Sequence, residues 1–172
     1  NNVPATIFSS FDPFGADNSA PGFAALGERL WAVQYHHHRV YFGRWVNDMS
    51  STPGYPGHLT GPNEIWSVGI LPNVGFAPLT LKREIVLPFY DPTNFWSNPP
   101  SDISFSDAGL MLVAERGIFG PTTVVLNDPG SAHRARVLEY ECQWTGWVET
   151  TNIPLSHARF NIGSYLHPVF GP

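Results

Sequence analysis

The sequence predicts an all-β protein, an antiparallel β-sandwich with one short helix and long loops. Three observations lead to this prediction. The chain of 172 residues contains 16 glycines and 17 prolines, which favour many short elements joined by turns. Several segments alternate apolar and polar residues, as strands with one buried face do. The length suits one domain with a sizeable core and is too short for two ordinary ones.

One helix is predicted, over residues 22–35. Leu26, Leu30 and Val33 fall at positions i, i+4 and i+7, which places them on one face of a helix. Ser19 and a proline–glycine pair precede this segment, where a helix start signal belongs.

The remaining candidate elements are strands. The clearest alternation lies in the last of them, where Leu138, Tyr140, Cys142 and Trp144 share one parity and polar residues take the other. This is the pattern of a half-buried antiparallel strand. Strands are predicted at residues 6–9, 36–48, 63–71, 79–90, 109–115, 122–126 and 134–149.

Long, turn-rich connections separate the strands at residues 49–62 and 91–102. The tail over residues 152–172 is apolar in composition but has little periodicity, so it is expected to lie on its own domain or on a neighbour. No linker or internal repeat divides residues 1–172, which are predicted to form a single domain. About seven strands with one early helix suggest a jelly roll, and another kind of β-sandwich is the alternative.

The composition excludes several classes of protein. Nine basic against fourteen acidic residues give a net charge of −5, which argues against nucleic-acid binding by this segment alone. No stretch of eighteen apolar residues is present, so no membrane span is expected. The single cysteine excludes an internal disulfide and a cysteine-rich zinc site. Only 13% of residues are charged and 14% are aromatic, which favours a protein that covers its surface with neighbours.

Three consecutive histidines, residues 36–38, form the first candidate site. In a strand, His36 and His38 point the same way, so a two-histidine metal site is conceivable. A cupin would need a glutamate at a position that holds Phe42 or Gly43, so this sequence does not fit a cupin. Partly exposed histidines between a helix end and a strand are the favoured interpretation.

Asp12 and Asp17 form the second candidate site. They lie five residues apart in a glycine-containing loop, where carboxylate and backbone oxygens can hold calcium. Turn-forming aspartates explain the segment equally well, and the spacing of an EF-hand is absent.

No enzyme is predicted. The chain has no Gly-x-Ser-x-Gly motif and no phosphate-binding glycine loop. Cys142 is expected to be inert on the apolar face of its strand. Glu139 and Glu141 share a face, but a surface position fits them better than a glycosidase pair. No cofactor is expected beyond the calcium candidate.

Three stretches together resemble the coat proteins of small icosahedral viruses. GFAALGERLWAVQYHHHRVYF, residues 22–42, resembles the helix-to-strand passage of tombusvirus, sobemovirus and nodavirus shells. GLMLVA (109–114) and RVLEYECQW (136–144) are similar to the last two strands of those jelly rolls. LPFYDPTNFW (87–96) resembles the strand and loop before them, also in picornavirus-like shells.

The resemblance implies a structural capsid protein of an RNA virus, located in the virion, that self-assembles into an icosahedral shell around the genome. Its partners would be other copies of itself, sister capsid proteins and a host receptor. Many members of these families bind RNA through a basic arm, which this chain does not show, so genome contacts are expected from residues outside it. Calcium between subunits is common in the plant families, but no stretch closely matches their acidic motif, and Asp12 and Asp17 stay an open candidate.

Loop and tail aromatics are the predicted subunit contacts, and the tail over residues 152–172 is expected to lie at those contacts. These side chains are Tyr55, Phe95, Trp96, Tyr165 and Phe170. The main alternative function is a secreted β-sandwich carbohydrate-binding module, because flat aromatic rings stack on sugars. A hydrolase on a jelly-roll scaffold is a third hypothesis, for which no acid–base pair is found.

Overall fold

A computed structural model of the chain describes residues 13–14, 27, 29–46, 61–72, 74–90, 92, 97–116, 135–150 and 159–162, the last four for their backbone only. These residues form nine strands in two antiparallel sheets. No α-helix occurs among them. The predicted all-β class and antiparallel pairing are therefore confirmed.

Sheet 1 contains four strands in the order of the chain. They are β1 (Arg29–His36), β2 (Arg39–Trp45), β3 (Glu64–Leu71) and β4 (Gly75–Val86). Sheet 2 contains five. They are β5 (Pro100–Phe105), β6 (Met111–Glu115), β7 (Ala135–Gln143), β8 (Gly146–Glu149) and β9 (Arg159–Ile162).

Both sheets are meanders in which sequence neighbours pair. The exception is β9, which pairs with β7 beside β8. A jelly roll places strands that are distant in the chain next to one another. Among the described strands only the β7–β9 pair does so.

The core lies between the sheets and comes from the alternating apolar positions of both. In β6, Met111 and Val113 are completely buried while Leu112 and Ala114 between them are only partly buried, as the two-residue period of a strand requires. Burying one such aliphatic side chain stabilises the fold by about 1.5–3 kcal/mol. The main core cluster consists of Tyr41, Ile65, Ile85, Leu87, Ile103, Met111, Val113, Leu138 and Tyr140.

A close approach between β2 and β5 fixes the distance between the sheets at one side. A Cβ atom on Gly43 would lie 2.5 Å from Cγ of Pro100, so only glycine fits there. The indole Nε1 of Trp45 donates a hydrogen bond of 3.3 Å to the carbonyl oxygen of Pro100.

The helix predicted at residues 22–35 is wrong from Arg29 onward, because β1 begins there. Residues 22–26 and 28 lie outside the described part. The cause is a β-bulge, since Trp31 pairs with Gly43 but Gln34 pairs with Tyr41. Ala32, inside the bulge, has a positive φ of 55°. One extra residue interrupts the two-residue period and produces helix-like spacing.

The predicted strand at residues 134–149 is a hairpin made of β7 and β8. Trp144 and Thr145 form its turn, and Gly146 follows with a φ of 124°. Leu138 and Tyr140 face the core as predicted, but Cys142 is exposed rather than on an apolar face. Trp144 is also exposed, with 97% of its surface accessible.

The other strand predictions have mixed outcomes. The segments at 36–48, 63–71, 79–90 and 109–115 contain β2, β3, most of β4 and β6. The first half of β5 falls in the segment 91–102 predicted as a loop, and β9 falls in the tail predicted to lack periodicity. The weaker candidates at 6–9 and 122–126 lie outside the described residues.

Candidate functional site at the turn end of the sandwich

Four tight connections of the two meanders lie at one end of the sandwich, which we call the turn end. They follow β1, β3, β5 and β7. The amide of Ile70 donates a 2.8 Å hydrogen bond to the carbonyl of His38, which places the β1–β2 and β3–β4 turns together. The ring of His36 stacks on Phe105, which brings the β5–β6 turn to the same end.

The β1–β2 turn consists of two histidines in left-handed conformation. His37 and His38 have φ values of 45° and 60°. Two consecutive positive φ values are the signature of the type I′ turn, which matches the twist of a hairpin. The hydroxyl of Tyr35 lies 3.3 Å from Nδ1 of His38. These histidines therefore shape a hairpin turn and do not follow a helix end, as the sequence had suggested.

His36 has a different environment from its two neighbours. Its ring lies parallel to that of Phe105, with 3.8 Å between centroids and 4° between planes. Burial, and then the nearby His37, lower the pKa of His36 from its ordinary value of 6.5. Within the described part of the chain, no group of three or more His, Cys, Asp or Glu side chains is arranged to hold a metal ion.

An aromatic cluster joins three hairpins beneath these turns. The ring of Phe105 lies 5.0 Å from Tyr41 and 5.9 Å from Trp147, and Tyr41 meets Trp147 edge-on at 6.2 Å. Each such aromatic pair adds about 0.5–1.5 kcal/mol beyond burial. Burial first, and then the charge of Glu84, raise the pKa of the Tyr41 hydroxyl. The cluster thus connects β2, β5 and β8 beneath the turn end.

A polar network continues from this cluster across β2, β3 and β4. The hydroxyl of Ser67 donates a 2.6 Å hydrogen bond to Oε1 of Glu84 and accepts one of 2.9 Å from Nε of Arg39. Nζ of Lys82 lies 2.8 Å from the second oxygen of Glu84. Nη2 of Arg39 also donates a hydrogen bond of 2.8 Å to the carbonyl oxygen of Thr80.

This network is suited to holding strands together rather than to nucleophilic chemistry. Ser67 is completely buried, so its hydroxyl is out of reach of a substrate. A hydroxyl nucleophile also needs a base in hydrogen-bond contact, and the partners of Ser67 are a carboxylate and a guanidinium that are bonded to other groups. Glu84 reaches Ser67 because it is the unpaired residue between Ile85 and Arg83 in a bulge of β4.

Large apolar side chains are exposed around the turn end. Leu79 of β4 and Trp144 of the β7–β8 turn have almost their whole surface accessible. Such residues in a group mark an interaction surface more often than they mark chance exposure. The exposed side chains at this end are Leu71, Val74, Leu79, Trp144 and Val148.

A second cluster lies on the outer face of sheet 1 around Glu64. Its Oε2 accepts hydrogen bonds from Nη1 of Arg44 at 3.1 Å and from Nε1 of Trp66 at 2.8 Å. Its Oε1 accepts one of 3.0 Å from Nη1 of Arg83. Burial opposes ionisation, but these three donors lower the pKa of Glu64 below its ordinary value of 4.5. The guanidinium of Arg44 also covers the ring of Phe14 at 4.2 Å.

Sheet 2 contains one fully buried ion pair. Glu115 is 2% exposed, and its carboxylate accepts hydrogen bonds from both Nε and Nη2 of Arg136, the latter at 3.2 Å. Nη2 of Arg136 also donates a hydrogen bond of 2.5 Å to the carbonyl oxygen of Pro88. The pair joins adjacent strands, because Glu115 and Arg136 are directly opposite each other in β6 and β7.

Apart from the three histidines at 36–38, the residues predicted from the sequence as sites lie outside the described part of the chain. This holds for the calcium candidates Asp12 and Asp17. It also holds for the predicted contact aromatics Tyr55, Phe95, Trp96, Tyr165 and Phe170. Sequence analysis did not identify the turn end, although the glycine after Trp144 was a signal for a turn there.

No family model matches the chain, and no curated protein or solved structure matches it. Among the residues that the structure describes, no helix has the length and apolarity needed to cross a membrane.

Proposed function

We propose that this chain is the shell-forming domain of the coat protein of a small icosahedral RNA virus, with a jelly-roll topology completed by residues beyond the described strands. Its role is structural, without catalysis, and its place is the virion. The resemblance of residues 87–96, 109–114 and 136–144 supports this proposal, whereas that of residues 22–42 to a helix-to-strand passage does not, because β1 begins at Arg29. The antiparallel two-sheet sandwich is the architecture that such a domain requires.

The observation that supports the proposal most directly is the combination of exposed apolar side chains with low charge. Five large apolar residues are exposed at the turn end alone, while only 13% of the chain is charged. Surfaces with few charges pair with a small desolvation penalty. A shell subunit is covered by neighbours on several sides, at roughly 1,200–2,000 Å² for each contact.

The partners follow from the same proposal. Other copies of the chain or sister capsid proteins cover the apolar surface, and a host receptor binds the outside of the shell. Genome RNA is contacted by residues outside this chain, because its net charge is −5. Calcium held by Asp12 and Asp17 between subunits belongs to the proposal as its one metal candidate.

Light scattering and negative-stain imaging of the native protein test the proposal. Uniform spherical particles some tens of nanometres across are the expected result. A 19.0 kDa monomer at high concentration contradicts assembly by this chain.

Removal of the tail sharpens this test. Because β9 pairs with β7 inside the chain, a deletion of residues 152–172 would damage the fold as well as the contacts. Deletion of residues 163–172 keeps β9 and removes the predicted contacts Tyr165 and Phe170. We expect normal circular dichroism and thermal unfolding with loss of particles. Particles of normal size from this truncated protein would contradict a role of the tail in assembly.

The alternative function, a secreted carbohydrate-binding module, has one observation in its favour. Trp31 is half-exposed and stacks on Trp45 with 5.6 Å between rings, which offers a flat aromatic surface at the edge of sheet 1. A monomer whose tryptophan fluorescence responds to a panel of oligosaccharides, and whose Trp31→Ala variant does not, would favour this alternative.

A further inference from the structure

The outer face of sheet 1 carries buried apolar side chains that do not belong to the main core. In β2, Phe42 alternates with the core residue Tyr41, so it points away from sheet 2. Phe42 is nevertheless only 4% exposed, and Val68, on the same face of β3, is 1% exposed. Neither residue is a member of the core cluster between the sheets. Sheet 1 is therefore covered on both faces at this place.

Phe14 is a side chain that covers this face, although it lies well before β1 in the sequence. Its ring meets the indole of Trp66 edge-on with 5.1 Å between centroids, and its centroid lies 6.3 Å from that of Phe42. The guanidinium carbon of Arg44 lies 4.2 Å from the centre of the same ring. Phe42 and Trp66 are directly opposite each other in β2 and β3. The side chains of Phe42, Arg44 and Trp66 thus form a single binding place for this ring, which we call the Phe14 seat.

Arg44 is fixed in position by hydrogen bonds to two other parts of the chain. Its Nε donates one of 2.6 Å to the carbonyl oxygen of Gly27, and its Nη1 donates one of 3.1 Å to Oε2 of Glu64. The same oxygen of Glu64 accepts a 2.8 Å hydrogen bond from Nε1 of Trp66, so two walls of the seat are tied together. A guanidinium that is already held in place loses little freedom when an aromatic ring stacks on it. Arg44 therefore offers Phe14 a preorganised flat surface.

We propose that Phe14 anchors the chain before β1 on the outer face of sheet 1, and that Arg44 is the positioning residue on which this anchor depends. The occupant of the Phe14 seat is a residue of the same chain, as its contacts with three side chains of the seat indicate. Another partner reaches Phe42 and Trp66 only after it displaces Phe14. The anchor is thus an internal cover on sheet 1, and it does not depend on the proposed shell function.

Cleavage by endoproteinase Asp-N tests the anchor, because this enzyme cuts before aspartate and Asp12 and Asp17 flank Phe14 in the sequence. A protease binds several residues on either side of the bond that it cuts, so Phe14 must leave its seat before either site is cleaved. The cleavage rate then follows the population of the released form. We expect Arg44→Met, which leaves both cleavage sites unchanged, to raise this rate about fivefold or more. Mass spectrometry identifies the fragments.

Arg83→Met is the matched control, because Arg83 donates to the other oxygen of Glu64 and its loss leaves the Arg44–Glu64 pair in place. Its cleavage rate should stay within about twofold of wild type. Cleavage before Asp102, which lies in β5, requires opening of the sandwich and should stay slow in every variant. Where Arg44→Met unfolds the sandwich, Trp66→Leu, which removes the edge-on contact, must show the local rise for the anchor to hold.

A double variant shows whether Arg44 acts through Phe14. Phe14→Ala should raise the cleavage rate about as much as Arg44→Met does, and the two changes together should raise it no further, because they break one contact. Peptides that cover residues 9–20, with phenylalanine or alanine at position 14, correct for the intrinsic cleavage rates. Effects that multiply in the double variant, or equal rates for wild type, Arg44→Met and Arg83→Met, would overturn the anchor.

Protein concentration separates an anchor within the chain from an exchange of Phe14 between two copies. An intrachain anchor predicts the same protection from cleavage at every concentration at which sedimentation velocity shows a monomer. Protection that appears only together with a dimer, and a dimer that Phe14→Ala does not form, would mean that a second copy fills the seat and would overturn the proposal. Protection of the monomer supports it whether or not the chain also forms particles.

Discussion

The negative charges of two buried glutamates, Glu115 and Glu64, are compensated in different ways. Glu115 lies in the interior and forms an ion pair with the guanidinium of Arg136. Glu64 lies on the outer face of sheet 1, and its carboxylate accepts hydrogen bonds from Arg44, Arg83 and Trp66. A carboxylate in the interior has little water to replace a lost counter-charge, whereas Glu64 has several donors and water close by. The loss of a partner should therefore cost much more at Glu115.

The largest expected effect is that of Glu115→Ala. This change leaves the guanidinium of Arg136 buried without its counter-charge, which costs about 3–5 kcal/mol of unfolding free energy. Urea unfolding followed by tryptophan fluorescence measures it. The double variant Glu115→Leu with Arg136→Met should recover most of the loss, since an apolar pair needs no counter-charge. A loss under about 1 kcal/mol for Glu115→Ala would mean that water reaches Arg136.

A smaller effect, and one that depends on pH, is expected for Glu64→Gln. The pKa of Glu64 is lowered in the folded chain, so its ionised form stabilises the fold above its ordinary pKa of 4.5. This stabilisation is lost as the pH falls through the lower folded value. The variant should therefore be less stable than wild type at pH 7 and lose less stability between pH 5 and pH 3. The unfolding free energies of wild type and Glu64→Gln are measured between pH 3 and pH 7. If the two curves stayed parallel, ionisation of Glu64 would not contribute to stability.

The smallest effect is expected for Arg83→Met. The Arg83 side chain is 54% exposed, and Glu64 keeps its donors Arg44 and Trp66. A solvent-exposed ion pair contributes about 0–1 kcal/mol. Arg44→Met is the informative control, because Arg44 also donates 2.6 Å to the carbonyl of Gly27 and covers the Phe14 ring. The Arg44→Met variant should therefore lose more stability than Arg83→Met, and equal losses would contradict this order.

The regular parts of the fold were predictable from the sequence. Alternation alone placed Leu138 and Tyr140 on one face, and both residues are in the core. Two-residue periodicity follows directly from strand geometry, so strands that keep it can be recognised from the sequence. The antiparallel sandwich follows from several such segments separated by turns.

The irregular parts were not predictable, because some break the two-residue period and others leave the apparent period unchanged. The bulge at Ala32 makes β1 resemble a helix, and the turn at Trp144 leaves the apparent alternation of the hairpin intact. β5 begins with Pro100 and contains Asp102, residue types that are depleted in strands. The turn end is built from such irregularities, so its side chains could not be placed together without the three-dimensional structure.

The meander order of the two sheets also has a consequence for synthesis of the chain. All four strands of sheet 1 are complete once residue 86 has been made, before any strand of sheet 2 exists. The β1–β2 and β3–β4 hairpins have short loops to close, so they can form quickly, and the longer β2–β3 connection then joins them into sheet 1. Its apolar inner face, with Ile65 and Ile85, stays uncovered until β5 to β7 emerge. This interval is when the nascent chain is most exposed to aggregation and to chaperones.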